Sequence, residues 1–141
     1  MTTTQNQSFS VAAPERSRGF IVTGLLAALA AAVGATLVGA IAGAVGVDFE
    51  LPDGGESIPL MGFAQLTFIF ALVGLAIASA VRRWSGHPRT TFVRVTLALT
   101  AVSLVPPFLV DANLATAVAL VLIHLVAAAI FIPVLARRLT H

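Results

Sequence analysis

His124 is the side chain best placed for acid–base chemistry, because it lies near the middle of an apolar segment that holds no other titratable group. An imidazole in the middle of an apolar segment that crosses a membrane can relay protons, ligate haem or a metal, or contact a substrate. It can also simply hydrogen-bond to a neighbouring helix. His87 and His141 lie beyond the ends of the apolar segments, too far away to join it. Because an intramembrane enzyme usually needs several ionisable groups at depth, we expect no enzymatic activity.

Uncharged polar side chains gather at the same ends of three apolar segments. They are Gln65, Thr67, Ser103, Asn113 and Thr116, with Asp111 just before them in the last segment. We expect these residues to line a polar pocket that opens outward between the second, third and fourth segments, with His124 at its floor. The alternative is hydrogen bonding between helices without a cavity.

The connection 46–59 is acidic and carries a turn signal, Pro52-Asp53-Gly54-Gly55. Its carboxylates are Asp48, Glu50, Asp53 and Glu56. Their spacing does not match the calcium-binding loop of an EF-hand. We expect a solvated loop, and weak binding of a divalent cation is the alternative.

Several functional classes lack the residues they need. The sequence contains no Cys and no HExxH, GxSxG or Walker A motif, so neither a cofactor nor a metal site is expected. The high pI of about 11.2 suggests nucleic-acid binding, but all eight basic residues are arginines placed in short clusters beside apolar segments. That placement is typical of membrane topology, and no nucleic acid is expected as a partner.

The composition favours a lipid environment. Hydrophobic residues make up 58% of the chain and charged residues only 10%, whereas soluble domains carry about 25% charged residues. We predict an all-α, polytopic membrane protein with a bundle of four transmembrane helices spanning residues 20–138. The spans are residues 20–45, 60–81, 92–109 and 112–136, after a disordered tail at 1–19.

The helix ends are harder to place. Thr90 or Thr91 is a suitable N-cap for the third span and Asp111 for the fourth. Pro106 and Pro107 either end the third helix near Leu104 or kink it, and Pro133 is expected to kink the fourth.

Arginine distribution predicts the orientation of the spans. The clusters are Arg16/Arg18, Arg82/Arg83/Arg89/Arg94 and Arg137/Arg138. With four spans, all three clusters lie on one side, and five of the six acidic residues lie on the other. The positive-inside rule then places both termini in the cytoplasm, in the cell (inner) membrane of a bacterium. A cleaved signal ending at Ala28-Leu29-Ala30 is the competing interpretation, but the apolar run is longer than signal peptides require.

The first span has small residues at every fourth position, namely Ala31, Ala35, Gly39 and Gly43. Such a row lets another helix approach closely. The approaching helix belongs either to the same bundle or to a second copy or another membrane protein.

Three stretches resemble a family of small actinobacterial membrane proteins that is defined by a domain of unknown function with four predicted spans. They are residues 58–64 (IPLMGFA), 103–107 (SLVPP) and 124–128 (HLVAA), the last leading to Pro133. The resemblance covers about residues 18–138 and implies an architecture and a membrane location, but no activity. Small multidrug transporters are similar only in outline, because they couple protons through an acidic residue in the first span, and no acidic residue lies in span 20–45.

Two functions follow as hypotheses. The first is a non-enzymatic envelope subunit or accessory factor, with the lipid bilayer and a second copy or membrane partner as its contacts. The second is a small transporter or channel component that uses the polar pocket and His124. A membrane enzyme built on His124 ranks last.

Overall fold

The computed structural model describes residues 13–50, 57–109 and 113–139. Within these ranges the helices are α1 (Ala13–Ala44), α2 (Leu60–Trp84), α3 (Pro88–Ser103), α4 (Pro106–Leu109) and α5 (Leu114–Arg138). Because α3 and α4 form one segment, four segments are long and apolar enough to cross a membrane. Their lengths of about 33–42 Å exceed the hydrocarbon core of about 30 Å. The predicted fold class of four apolar, membrane-length helices is confirmed.

The start of α1 differs from the prediction. Residues 13–19 are helical, although they were expected to belong to the disordered tail. Pro14 lies in the first turn, where its missing N–H costs no hydrogen bond. Residues 1–12 of the predicted tail lie outside the described residues.

Gly46 terminates α1. Gly46 has φ +97°, its N–H donates to Gly43, and the N–H of Val47 donates to Ala42. This pair of hydrogen bonds is a Schellman motif, which satisfies the last carbonyls of the helix and needs a residue that tolerates positive φ. The prediction placed the loop start at this same glycine.

The starts of α3 and α5 differ from the predicted N-caps. α3 begins at Pro88 after His87, before Thr90 and Thr91, because proline presets the first helical φ. The hydroxyl of Thr91 pairs instead with that of Ser85, at 3.0 Å. Asn113 is the N-cap of α5, two residues after the predicted Asp111, which lies outside the described residues. α5 runs through Pro133 to Arg138.

The third span breaks but does not stop at its prolines. α3 ends at Ser103, the N–H of Val105 turns back to Val102, and α4 adds one more turn from Pro106. Both predicted outcomes are therefore partly realised: the α-helix ends just before Leu104, and the segment continues to Leu109.

The four segments form a bundle in which α1 and α3 occupy opposite corners, each packed against α2 and α5. Small residues allow α1 to approach its neighbours closely. A Cβ added at Gly39 would lie 2.8 Å from a ring carbon of Phe63 on α2, and one at Gly34 would lie 2.6 Å from Ile130 on α5. At these two positions the backbone of α1 packs directly against side chains of α2 and α5, a kind of contact that is typical of helices in lipid.

The buried side chains form two clusters at different levels of the bundle. The cluster near the chain termini joins all four segments and includes Phe20, Leu75, Phe92, Phe131 and Leu135. The cluster at the opposite end is smaller and consists of Ala35, Phe49, Phe63, Ala119 and Ile123. Phe49 belongs to the α1–α2 connection, so this connection contributes to the core.

Candidate functional site

Asp48, in the connection between α1 and α2, binds the start of α5. The Nδ2 of Asn113 donates to its Oδ1 at 3.0 Å and to its Oδ2 at 3.3 Å. The hydroxyl of Thr116 donates to Oδ1 at 3.1 Å. These three residues, hereafter the Asp48 clasp, join parts of the chain that are 65 residues or more apart.

The geometry of the clasp follows from the N-cap of α5. The Oδ1 of Asn113 accepts from the backbone N–H of Thr116 at 2.8 Å, which leaves its amide group free to donate to the carboxylate. Thr116 is fully buried, so its hydroxyl requires a partner within the protein. A carboxylate is a favourable partner because the helix N-terminus carries partial positive charge.

The clasp lowers the pKa of Asp48. The hydrogen bond from Asn113 is the largest cause, the backbone N–H of Glu50 is the next to lower it, and Thr116 adds less, while desolvation opposes them. A lowered pKa means that folding favours the charged form. The stabilisation is therefore complete above the pKa of an unfolded aspartate, about 3.9, and disappears as the pH falls through the lower folded pKa.

Asp48→Ala is expected to lower the thermal unfolding midpoint in detergent micelles at about pH 7, because both donors on α5 lose their acceptor. The difference from the wild type should shrink at about pH 3, because an unfolded aspartate is largely protonated there and folding gains less from the charged form. Glu50→Ala is the matched control, since the Glu50 side chain is exposed and makes no hydrogen bond within the described residues. A difference that stays constant between these two pH values would count against a charged clasp.

Phe49 holds the same connection by a different interaction. Its side chain is 4% exposed and meets the ring of Phe63 edge-on, with centroids 5.0 Å apart. Its backbone has φ +53°, a region that side-chain-bearing residues rarely adopt. An antiparallel bridge between Glu50 and Ser57 follows. Adjacent residues of this connection thus bind α5 through a carboxylate and α2 through an aromatic ring.

The predicted polar-pocket residues are only partly brought together. Within the described residues, hydrogen bonds join Asn113 and Thr116 but no other pair of the set. Gln65 is exposed and Thr67 half-buried on α2, roughly 200° apart around the helix. The hydroxyl of Ser103 donates to Thr100 of its own helix. Asp111 lies outside the described residues.

His124 is half-buried, and its ring bonds within its own helix. Nδ1 lies 2.7 Å from the carbonyl oxygen of Leu120. Because a carbonyl only accepts, Nδ1 is the donor in this hydrogen bond. Thr36, Ser79, Thr96 and Thr100 likewise donate to carbonyls of their own helices. These five side chains are thus hydrogen-bonded within their own helices.

The predicted small-residue face is divided between two environments. Ala31 and Ala35 are buried in the bundle, and Gly39 lies against Phe63. At Gly43 an added Cβ would meet nothing within 4 Å. Three of the four residues therefore pack within the bundle, and the fourth is open.

Two apolar grooves lie on the outside of the bundle. One, between α1 and α2, has a volume of about 400 Å³ and includes Leu29, Thr36 and Met61 in its lining. The other, between α1 and α5, has a volume of about 750 Å³ and includes Ile41 and Val118. Neither groove is lined by a residue of the predicted polar pocket.

Asp48 is the site residue that sequence reasoning missed, because it was grouped with the solvated acidic loop. Asp48 lies two residues after Gly46, and nothing in that sequence position predicts a contact with α5. Of the other loop acids, Glu50 is exposed, and Asp53 and Glu56 lie outside the described residues. The residues that the structure describes contain no cluster of three His, Cys, Asp or Glu that could hold a metal ion.

No curated protein and no solved structure matches the chain. A family model does match, over residues 15–141, slightly more than the 18–138 covered by the expected resemblance. The chain therefore belongs to DUF6069, a family of unknown function.

Proposed function

We propose that this chain is a non-enzymatic subunit or accessory factor of the bacterial cell membrane, which acts by packing against a second copy or another membrane protein. The main support for this proposal is that only a small share of each span is buried inside the bundle. The most apolar stretch of α1 is 33% buried, and those of the other three spans are 17–22% buried. Most of the side-chain surface of a single bundle is therefore available to lipid or to other helices.

The end of α1 near Gly43 is the part of this surface best suited to another helix. Gly43 is exposed, and a Cβ added there would meet nothing within 4 Å, so the backbone of α1 is open to a close approach at this point. Helices associate in lipid where small residues let backbones approach closely. Because Ala31, Ala35 and Gly39 already pack internally, Gly43 is the member of the small-residue face that remains open to another chain.

Site-directed cross-linking tests the proposal, because the natural sequence has no cysteine. Gly43→Cys carrying a maleimide-linked benzophenone should give a protein adduct of discrete mass in native membranes, at twice the chain mass for a second copy. Phe70→Cys, at a side chain 69% exposed on α2, is the matched control and should give lipid adducts alone. Identical products from both positions would argue against a specific contact at Gly43.

The proposed orientation has both termini in the cytoplasm, supported by the arginines at one end of the bundle. Alkaline phosphatase, which is active outside the cytoplasm, should be active when inserted in the 46–59 connection and inactive when inserted after Gly86. A fluorescent protein that matures in the cytoplasm should show the reverse pattern. Phosphatase activity after Gly86 would invert the topology. Nothing in the described residues favours a transporter or channel component over the accessory role.

A further inference from the structure

One end of the bundle carries a concentrated positive charge. It comes from seven exposed arginines, namely Arg18, Arg82, Arg83, Arg89, Arg94, Arg137 and Arg138. Because successive segments run in opposite directions, the residues that begin α1 and α3 meet those that end α2 and α5. The guanidinium carbon of Arg82 lies 4.9 Å from the ring centroid of Phe20, which joins the ends of α2 and α1 directly.

The carboxylates that the structure describes do not lie near the arginines on either side of the α2–α3 turn. The carboxylates that the structure describes, Asp48 and Glu50, lie at the opposite end beside the start of α5. Arg83, Arg89 and Arg94 form no ion pair with a carboxylate within the described residues. Like charges held close together repel, so binding of an external anion would reduce the repulsion at this end.

An ordered turn joins α2, which carries Arg83 near its end, to α3, which carries Arg89 and Arg94 near its start. The hydroxyl of Ser85 lies 3.0 Å from that of Thr91 and accepts the N–H of His87 at 3.2 Å. This fixed connection separates Arg83 from Arg89 by a few residues and keeps both exposed. The turn therefore fixes the end of α2 relative to the start of α3, and with them the backbone positions of Arg83 and Arg89.

We propose that this arginine corner, formed by Arg83, Arg89 and Arg94, binds the phosphate groups of anionic phospholipids. Trp84 lies within it and is 78% exposed, and tryptophan prefers the headgroup level of a bilayer. That depth is where lipid phosphates lie. The seven exposed arginines at this end of the bundle come from all four segments, so positive charge surrounds the corner, which suits a ring of lipid better than one acidic protein docked on a single face. The proposal requires only that the segments cross a bilayer.

Trp84 provides the test because it is the only tryptophan in the sequence. The full chain is reconstituted in vesicles that contain equal amounts of phosphatidylglycerol and phosphatidylcholine. In one preparation the phosphatidylglycerol carries brominated acyl chains, in the other the phosphatidylcholine does, and the brominated lipid quenches the fluorescence of Trp84. We expect quenching to show that the anionic lipid associates with the chain about fivefold more strongly than phosphatidylcholine does. This ratio corresponds to about 1 kcal/mol, the usual contribution of one basic residue at an anionic membrane surface. The preference should decline as salt is raised from about 0.1 M to 1 M, because the screening length falls from about 10 Å to 3 Å.

Variants distinguish the contribution of this corner to the lipid preference from that of the other charged residues. Arg83→Gln/Arg89→Gln should reduce the preference to near onefold, while Arg83→Lys/Arg89→Lys should retain most of it. Equal quenching by both lipids in the wild-type chain would overturn the proposal and direct attention to an acidic protein partner. Undiminished preference in the glutamine variant would overturn it too. Absence of quenching by either lipid would instead refute membrane insertion, on which the proposed accessory role also rests. The helical circular dichroism signal of each variant checks folding. We expect this signal to be unchanged, because both arginines are exposed.

Discussion

Phe49→Ala is expected to lower the free energy of unfolding by about 3–5 kcal/mol, the usual range for removing a buried aromatic ring. Phe49 is 4% exposed, contacts Phe63 edge-on and lies beyond the ends of α1 and α2. Because the connection lies outside the spans, the alternative to burial is contact with water rather than with lipid, so the hydrophobic contribution applies in full. Reversible unfolding in mixed micelles of dodecyl maltoside and sodium dodecyl sulphate would measure this effect.

The backbone at Phe49 makes a second expectation more specific. At φ +53° an L-residue costs about 1–2 kcal/mol relative to glycine. Phe49→Gly should therefore be more stable than Phe49→Ala by about 1 kcal/mol, although glycine usually destabilises relative to alanine. Phe70→Ala, at a side chain 69% exposed on α2, is the matched control and should change stability little. If Phe49→Gly were the less stable variant, the positive φ would not describe this connection.

The sequence predicts the elements of this fold because long apolar runs leave few other solutions in a chain with so little charge. Gly46 marks the end of α1 in both sequence and structure, since a Schellman motif needs a residue that tolerates positive φ. The helix starts are less predictable, because several capping residues compete. Asn113 prevails at α5 since its side chain binds Asp48 as well as the backbone of Thr116.

The candidate site could be predicted only in part. Asn113 and Thr116 were grouped because of their position along the chain, and the structure joins them. Their partner is Asp48, and no periodicity relates the α1–α2 connection to the first turn of α5. A sequence also cannot show whether a polar side chain bonds to its own helix or to a neighbour. His124 at 2.7 Å from Leu120 illustrates the difference, because a residue with functional potential satisfies its ring nitrogen locally.

Gly39→Val is expected to destabilise the bundle by about 1–3 kcal/mol, the usual cost of overpacking. A Cβ at this position would lie 2.8 Å from a ring carbon of Phe63, and a rigid ring cannot rotate away as a flexible chain end can. Phe63 is itself held by Phe49, with ring centroids 5.0 Å apart. The inserted methyl groups must therefore push α1 and α2 apart, which also weakens packing along the rest of the α1–α2 contact.

Gly43→Val is the matched control, because it adds the same atoms one helical turn away where a Cβ meets nothing within 4 Å. It should leave the unfolding of the purified chain nearly unchanged. The double variant Phe49→Ala/Gly39→Val provides the sharper test, since removing the Phe49 ring leaves space into which Phe63 can move. The effect of Gly39→Val should then be smaller than in the wild-type background, a coupling that contacting residues show and distant ones do not. Strict additivity of the two substitutions would mean that Gly39, Phe63 and Phe49 do not form one packed unit.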